Sequence, residues 1–148
     1  AGAGGTQAEE GESYHMVTHS DGSKGEALTC DTGSFMKMDG QEVFKFAVRQ
    51  VPACIAEVME HNHLMAEDID YFILHQANRR IVEAVAKRMK VELTKFPMNL
   101  QEYGNTSSAS IPLLLDEMNR EGRLKKGQKL VLAGFGAGLS WGASLLEW

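Results

Sequence analysis

The chain has 148 residues, 43% of them hydrophobic, and a formal charge of −5. That length supports one domain with its own core, and the acidic balance argues against nucleic acid as the main partner. No uninterrupted apolar run approaches the ~20 residues that span a bilayer, so no membrane segment is expected.

The start, Ala1-Gly2-Ala3-Gly4-Gly5, carries neither a basic n-region nor an apolar h-region, and it lacks an initiator Met. It is therefore read as non-secretory and as a processed or partial chain. His15-Met16-Val17 reads as a short strand, and Asp21-Gly22-Ser23-Lys24-Gly25 is turn chemistry. Nothing between Cys30 and Asp39 is periodic, which predicts a loop. Residues 41–60 form the best helix: Phe44, Val48, Val51, Ile55, Val58 and Met59 follow the three-four spacing of one buried face. Pro52 is expected to kink or divide it, since it removes a backbone donor and crowds the previous turn.

A buried strand is predicted over 71–74 and a helix over 79–90, with Ile81, Val85 and Met89 on one side. Residues 96–100 read as another strand. Gly104 permits a positive φ, Ser107 to Ser110 offer caps, and a helix over 111–120 buries Ile111, Leu114, Leu115 and Met118. Pro112 is tolerable in a first turn, and Gly122 is a stop. A strand over 129–133, a Gly-rich loop and a last strand over 140–146 complete the chain. Strands alternating with helices predict an α/β fold, one mixed sheet flanked by helices.

Two polar residues stand where open α/β sheets carry their ligands, just beyond strand carboxyl ends. His75 follows Asp70-Tyr71-Phe72-Ile73-Leu74, and Asn105 lies between Pro97-Met98-Asn99-Leu100 and the helical run 111–120. An imidazole and a carboxamide can both donate to one developing oxyanion. Taken singly, His75 also fits a loop residue after a strand and Asn105 a turn residue beside Gly104. Gly134-Phe135-Gly136-Ala137-Gly138 is not a phosphate loop, because it lacks Gly-Lys-Ser/Thr and leads into a strand. Taken alone it also reads as a tight strand-to-strand turn. Arg79, Arg80, Lys87, Arg88 and Lys90 make one side of a helix basic. Its plain reading is a solvated face with Arg79–Glu83 and Glu83–Lys87 pairs. His61 and His63, like His15 and His19, lack metal-ligand spacing, so no metal is expected. Cys30 and Cys54 are too few for a disulfide framework, which suits a reducing cytoplasm. Cys54 shares the apolar helix face and reads as a small buried hydrophobe.

His75-Gln76-Ala77-Asn78, Gly104-Asn105-Thr106-Ser107-Ser108-Ala109-Ser110-Ile111-Pro112 and Gly134-Phe135-Gly136-Ala137-Gly138 together resemble the C-terminal half of β-ketoacyl-acyl-carrier-protein synthase III. These are condensing enzymes of the thiolase superfamily. The resemblance implies that residues 1–148 are the C-terminal half of a duplicated thiolase-like fold. About residues 1–35 would form the join and a hairpin, and the nucleophilic cysteine would lie in an N-terminal half. The 30–39 connection is usually longer in that family.

The implied activity is acyltransfer: an acyl-CoA primer is joined to malonyl-ACP by decarboxylative Claisen condensation, initiating type II fatty acid synthesis. His75 and Asn105 would hold the thioester oxygen of the enolate. The Ala137 N–H would serve the acyl-enzyme's oxyanion hole, with Phe135 and Gly136 as support; Ala stands here where Gly is commoner. Gly40, Phe44, Ala77 and Asn78 would line the CoA and pantetheine channel, though Phe44 also fits a plain core role. Arg80, with Arg79, would bind the acidic carrier protein. The resemblance further implies a homodimer, acyl-CoA and malonyl-ACP as substrates rather than cofactors, and inactivity of this chain alone. Two alternatives remain open: a polyketide-type or hydroxymethylglutaryl-CoA synthase relative, and a catalytically silent domain that grips an acidic protein.

Overall fold

A computed structural model describes residues 16–148; residues 1–15, the first part of the segment expected to form the join and a hairpin, lie outside them. Ten elements follow: β1 (Met16–Ser20), β2 (Leu28–Thr29), β3 (Lys37–Met38), α1 (Gly40–His61), β4 (Tyr71–Leu74), α2 (Arg79–Met89), α3 (Leu100–Tyr103), α4 (Ser110–Arg120), β5 (Lys129–Gly136) and β6 (Ser140–Glu147). Short 3-10 turns join several of them.

The main sheet has the order β1-β6-β5-β4. β4 and β5 are parallel, while β5–β6 and β6–β1 are antiparallel, so the sheet is mixed. Both faces of its centre are covered. Phe72 and Leu74 of β4 face the core built with α1 and α2, whereas Ile73 joins Leu114, Met118, Leu124 and Leu130 on the α4 side. A strand buried on both faces has no polar alternation, which is why 71–74 reads as an unbroken apolar run. Close strand packing fixes Gly142: a Cβ there would stand 2.9 Å from the Val17 carbonyl oxygen of the neighbouring strand.

α1 is one uninterrupted helix, so Pro52 does not divide it. Pro52 is itself buried, and Phe46, Ala47 and Val51 before it share one core with Cys54, Ile55 and Val58 after it. Burial on both sides of the missing donor keeps the helix continuous. Asp39 starts the helix, its Oδ1 accepting from the Gln41 and Glu42 amides at 3.0 Å each.

Three other expectations are corrected. The 30–39 segment is not wholly loop: Lys37–Met38 pairs antiparallel with Leu28–Thr29, and Phe35, between the turn and β3, is 92% exposed. Residues 96–100 are not a strand. Phe96 is buried face to face with Phe72, the ring centroids 5.0 Å apart, and the chain turns into α3. The apolar side chains there plug the core with no ladder to join. Finally, Gly134-Phe135-Gly136 belongs to β5, paired with Gly142, Trp141 and Ser140, so the turn shrinks to the residues between Gly136 and Ser140. The Gly138–Leu139 peptide is cis.

Candidate active site

β4 ends at Leu74, paired with Ala133, and the His75 N–H donates to the Ala133 carbonyl at 2.8 Å. That bond carries the ladder one residue beyond the strand and sets the imidazole at the sheet's carboxyl end. Gln76, only 1% exposed, then ties three segments together. Its amide N–H donates to Ser110 Oγ (3.2 Å), its Nε2 to the Leu74 carbonyl (2.8 Å), and its Oε1 accepts from the Asn99 N–H (3.3 Å). Asn99 in turn donates to Glu117 of α4 at 2.7 Å. Buried polar groups this well satisfied fix the segments that carry them. Asn78 caps α2, accepting the Arg80 N–H at 2.8 Å.

Asn105 is positioned by its own turn. Gly104 adopts φ 67°, as its type permits, and Asn105 Oδ1 accepts the Ser107 N–H at 2.9 Å. Ser107 itself has φ 54°. The serines do not cap α4, whose N-cap position, Ala109, makes no side-chain cap bond. Ser110 is the first residue of that helix, and its Oγ lies 2.6 Å from His75 Nδ1.

His75, Asn105, Ala77, Phe135, Gly136 and Ala137 all line one cavity of about 770 Å³. Phe135 sets its ring edge-on to His75, centroids 5.4 Å apart. Burial pushes the His75 imidazole below its ordinary pKa, which favours the neutral ring. Ala137 stays out of the positive-φ region, and Gly138 takes φ 132° in its place. The Ala at this position therefore costs no backbone strain.

The other expected residues stand outside the cavity's lining. Gly40 opens α1 and is exposed. Phe44 lies half-buried against the core, beneath the Arg80 guanidinium at 5.6 Å from its centroid. Arg79 is held by Glu83 at 2.7 Å. Asn78, Arg79 and Arg80 are all exposed at the start of α2.

Sequence reasoning missed Ser110, Gln76 and the far wall, where Met36 and Met38 stand with His19 and Trp141. A serine entering a helix signals a cap, and nothing local marks this one as a partner of an imidazole 35 residues away. His19 stacks on Trp141 with centroids 5.5 Å apart and meets Glu57 at 2.8 Å. Among the described residues no group of three or more His, Cys, Asp and Glu could hold a metal, and no helix is long and apolar enough to cross a membrane.

Residues 59–148 match the family model for the 3-oxoacyl-[acyl-carrier-protein (ACP)] synthase III C terminal. The beta-ketoacyl-[acyl-carrier-protein] synthase III of Clostridium novyi (strain NT) is 46% identical, the match covering 97% of this chain and 48% of that protein. That alignment spans 157 residues, more than this chain has, so the relative carries residues with no counterpart here. The same-named protein of Clostridium acetobutylicum is 52% identical over 78% of this chain and 35% of its own length. Among solved structures, 3-oxoacyl-[acyl-carrier-protein] synthase III from Aquifex aeolicus VF5 superposes with a TM-score of 0.89 at 38% identity, covering 95% of this chain and 46% of that one. The chain thus spans about half the length, or less, of the relatives it matches.

Proposed function

The chain belongs to the 3-oxoacyl-[acyl-carrier-protein] synthase III C-terminal family, and from that premise we propose that it is the C-terminal half-domain of a condensing enzyme and supplies the decarboxylation machinery. The observation that carries this reading is the convergence of His75 and Asn105 on one cavity walled by Phe135 and Ala77. The N-terminal half would bring the nucleophilic cysteine, and the enzyme would work as a homodimer in the cytoplasm.

The reaction is an acyl-CoA primer condensing with malonyl-ACP. The primer's acyl group first passes to the cysteine thiolate, and CoA thiol leaves. In the malonyl thioester, the bond to the carboxylate carbon then breaks and carbon dioxide departs. The electron pair becomes an enolate whose charge rests on the thioester oxygen. His75 and Asn105 donate to that oxygen, and they act only where the charge develops. The enolate carbon attacks the acyl-cysteine carbonyl, whose own oxyanion takes the Ala137 N–H. Collapse breaks the carbon–sulfur bond and returns the thiolate. This chemistry needs acyl-CoA and malonyl-ACP as substrates and no cofactor.

Gly40 and Phe44 at the start of α1, and Ala77 and Asn78 at the start of α2, would flank the pantetheine arm. Arg80, exposed beside Phe44, with Arg79 next to it, offers the acidic carrier protein a basic landing edge. The test joins residues 1–148 to the N-terminal half of the Clostridium novyi relative and assays ketoacyl-ACP formation from acyl-CoA and malonyl-ACP. Product formation is expected, with none from residues 1–148 alone. A soluble, folded chimaera that loads acyl-CoA but releases no carbon dioxide from malonyl-ACP would overturn the reading.

A further inference from the structure

Ser110 Oγ stands at the junction of two hydrogen bonds at the buried edge of the cavity. The residue is 2% exposed. Its oxygen takes the Gln76 N–H at 3.2 Å and lies 2.6 Å from His75 Nδ1. The hydroxyl makes no other hydrogen bond among the described residues. A hydroxyl owns one proton and can accept through two lone pairs. If Nδ1 carried the imidazole proton, Ser110 Oγ would accept twice and its own proton would find no acceptor among the described residues. If the hydroxyl donates to Nδ1, every group is satisfied, and the neutral ring must keep its proton on Nε2. We infer that Ser110 is a positioning residue: its hydroxyl fixes His75 as the Nε2–H tautomer, so that this imidazole enters the cavity as a hydrogen-bond donor and not as an acceptor.

The Gln76 amide has a part in this. By occupying one lone pair of Ser110 Oγ, it directs the hydroxyl proton away from itself and toward Nδ1. His75 Nε2–H is then preorganised before any substrate arrives, and no proton has to move when negative charge develops. Burial lowers the imidazole pKa, so the ring is neutral at pH 7 and its tautomer is a real choice. The inference rests on the donor role proposed above only for its catalytic consequence; the tautomer itself can be observed without turnover.

The experiment uses the chimaera with ¹⁵N-labelled histidine, His75→Gln serving to identify the His75 resonances. Long-range ¹⁵N couplings should report protonated Nε2 and unprotonated Nδ1 in the parent. Ser110→Ala should populate the Nδ1–H form and slow carbon dioxide release by at least ~10-fold, up to the ~10²–10³ typical of losing an oxyanion donor. KM for malonyl-ACP and acyl loading should stay as in the parent. Ser110→Thr keeps the hydroxyl and should restore both the tautomer and most of the rate. A parent spectrum showing Nδ1–H overturns the inference even if Ser110→Ala cannot be folded. So does a Ser110→Ala protein that retains pure Nε2–H, whatever its rate. If Ser110→Ala shifts the tautomer while the parent never releases carbon dioxide, the inference stands and the proposed function fails.

Discussion

Asn105 Oδ1 accepts the Ser107 amide at 2.9 Å, and this single bond decides which end of the carboxamide is free. Only the oxygen can accept from an N–H, so the NH₂ group is left to donate into the cavity that Asn105 lines with His75. Asn105→Asp keeps the turn bond and replaces the donor with a negative charge where the proposed enolate would form. Carbon dioxide release in the chimaera should fall by at least ~10²–10³, while the melting temperature changes little. Asn105→Ala should lose both, because the turn loses its acceptor. Comparing release rates and melting curves for the two variants separates the donor from the turn; an Asp variant within a few-fold of the parent rate would dismiss the donor role.

His75→Ala addresses the other donor. In the chimaera it should abolish malonyl decarboxylation and leave acyl transfer from labelled acyl-CoA to the cysteine nearly intact, since the proposed mechanism forms the enolate only in its second half-reaction. Following label incorporation and carbon dioxide separately decides it. Equal loss of both steps would assign His75 to shared architecture, such as the Ser110 contact, and not to the oxyanion.

The same burial gives a pH signature. The folded pKa of His75 lies below its ordinary value near 6.5, so between the two the unfolded chain binds more protons than the folded one. The stability from burying the neutral ring is complete above pH ~6.5 and is lost as pH falls through the lower folded value. His75→Gln should flatten the slope of melting temperature against pH on the acid side of 6.5. An unchanged slope would mean that His75 does not contribute to it.

Much of the architecture was legible because its determinants are local. The 71–74 run, the α2 face and the Gly122 stop need only neighbours within a turn or a strand, and their register follows. The misreadings share a cause. Phe96 and Met98 declare burial, but whether a buried segment joins a ladder depends on what lies beside it, and Phe96 finds the Phe72 ring. Pro52 signals a break, yet the core on both sides of it keeps α1 whole. At the site, His75, Asn105 and the Gly134–Ala137 stretch were visible through their motifs. Ser110 was visible only as a cap, since its partner comes from a strand end 35 residues earlier.

Arg80 and Arg79 are neighbours with different freedom. Arg79 is held by Glu83, whereas Arg80 has no carboxylate within ion-pair distance among the described residues and lies over the Phe44 ring. An exposed cation over a ring gains about 0.5–1 kcal/mol and still presents its charge outward. Arg80→Ala should raise KM for malonyl-ACP, more at low salt than at high, and spare acyl-CoA loading. Arg79→Ala should do less, because its charge is already matched. Equal KM values for parent and Arg80→Ala at low ionic strength would remove carrier docking from this edge.

The two cysteines of the chain give the sharpest contrast between exposure and reactivity. Cys54 is buried on α1, where burial first and the nearby Glu57 carboxylate second push its thiol up to about 11. At pH 8 that leaves about one thiolate in a thousand, before access is considered. Its Sγ already points at the Val17 carbonyl, 3.8 Å away. Cys30 is exposed in the segment before β3, with the Ser34 carbonyl oxygen 3.7 Å from its Sγ. Iodoacetamide should therefore modify Cys30 quickly in the native chain and Cys54 only after denaturation. Neither should take an acyl group from acyl-CoA, because Cys30 stands outside the cavity's lining and Cys54 lacks access. Mass spectrometry of residues 1–148 after each treatment reads both outcomes. Stoichiometric acylation of either cysteine would place the nucleophile in this chain and end its assignment as the half that only decarboxylates.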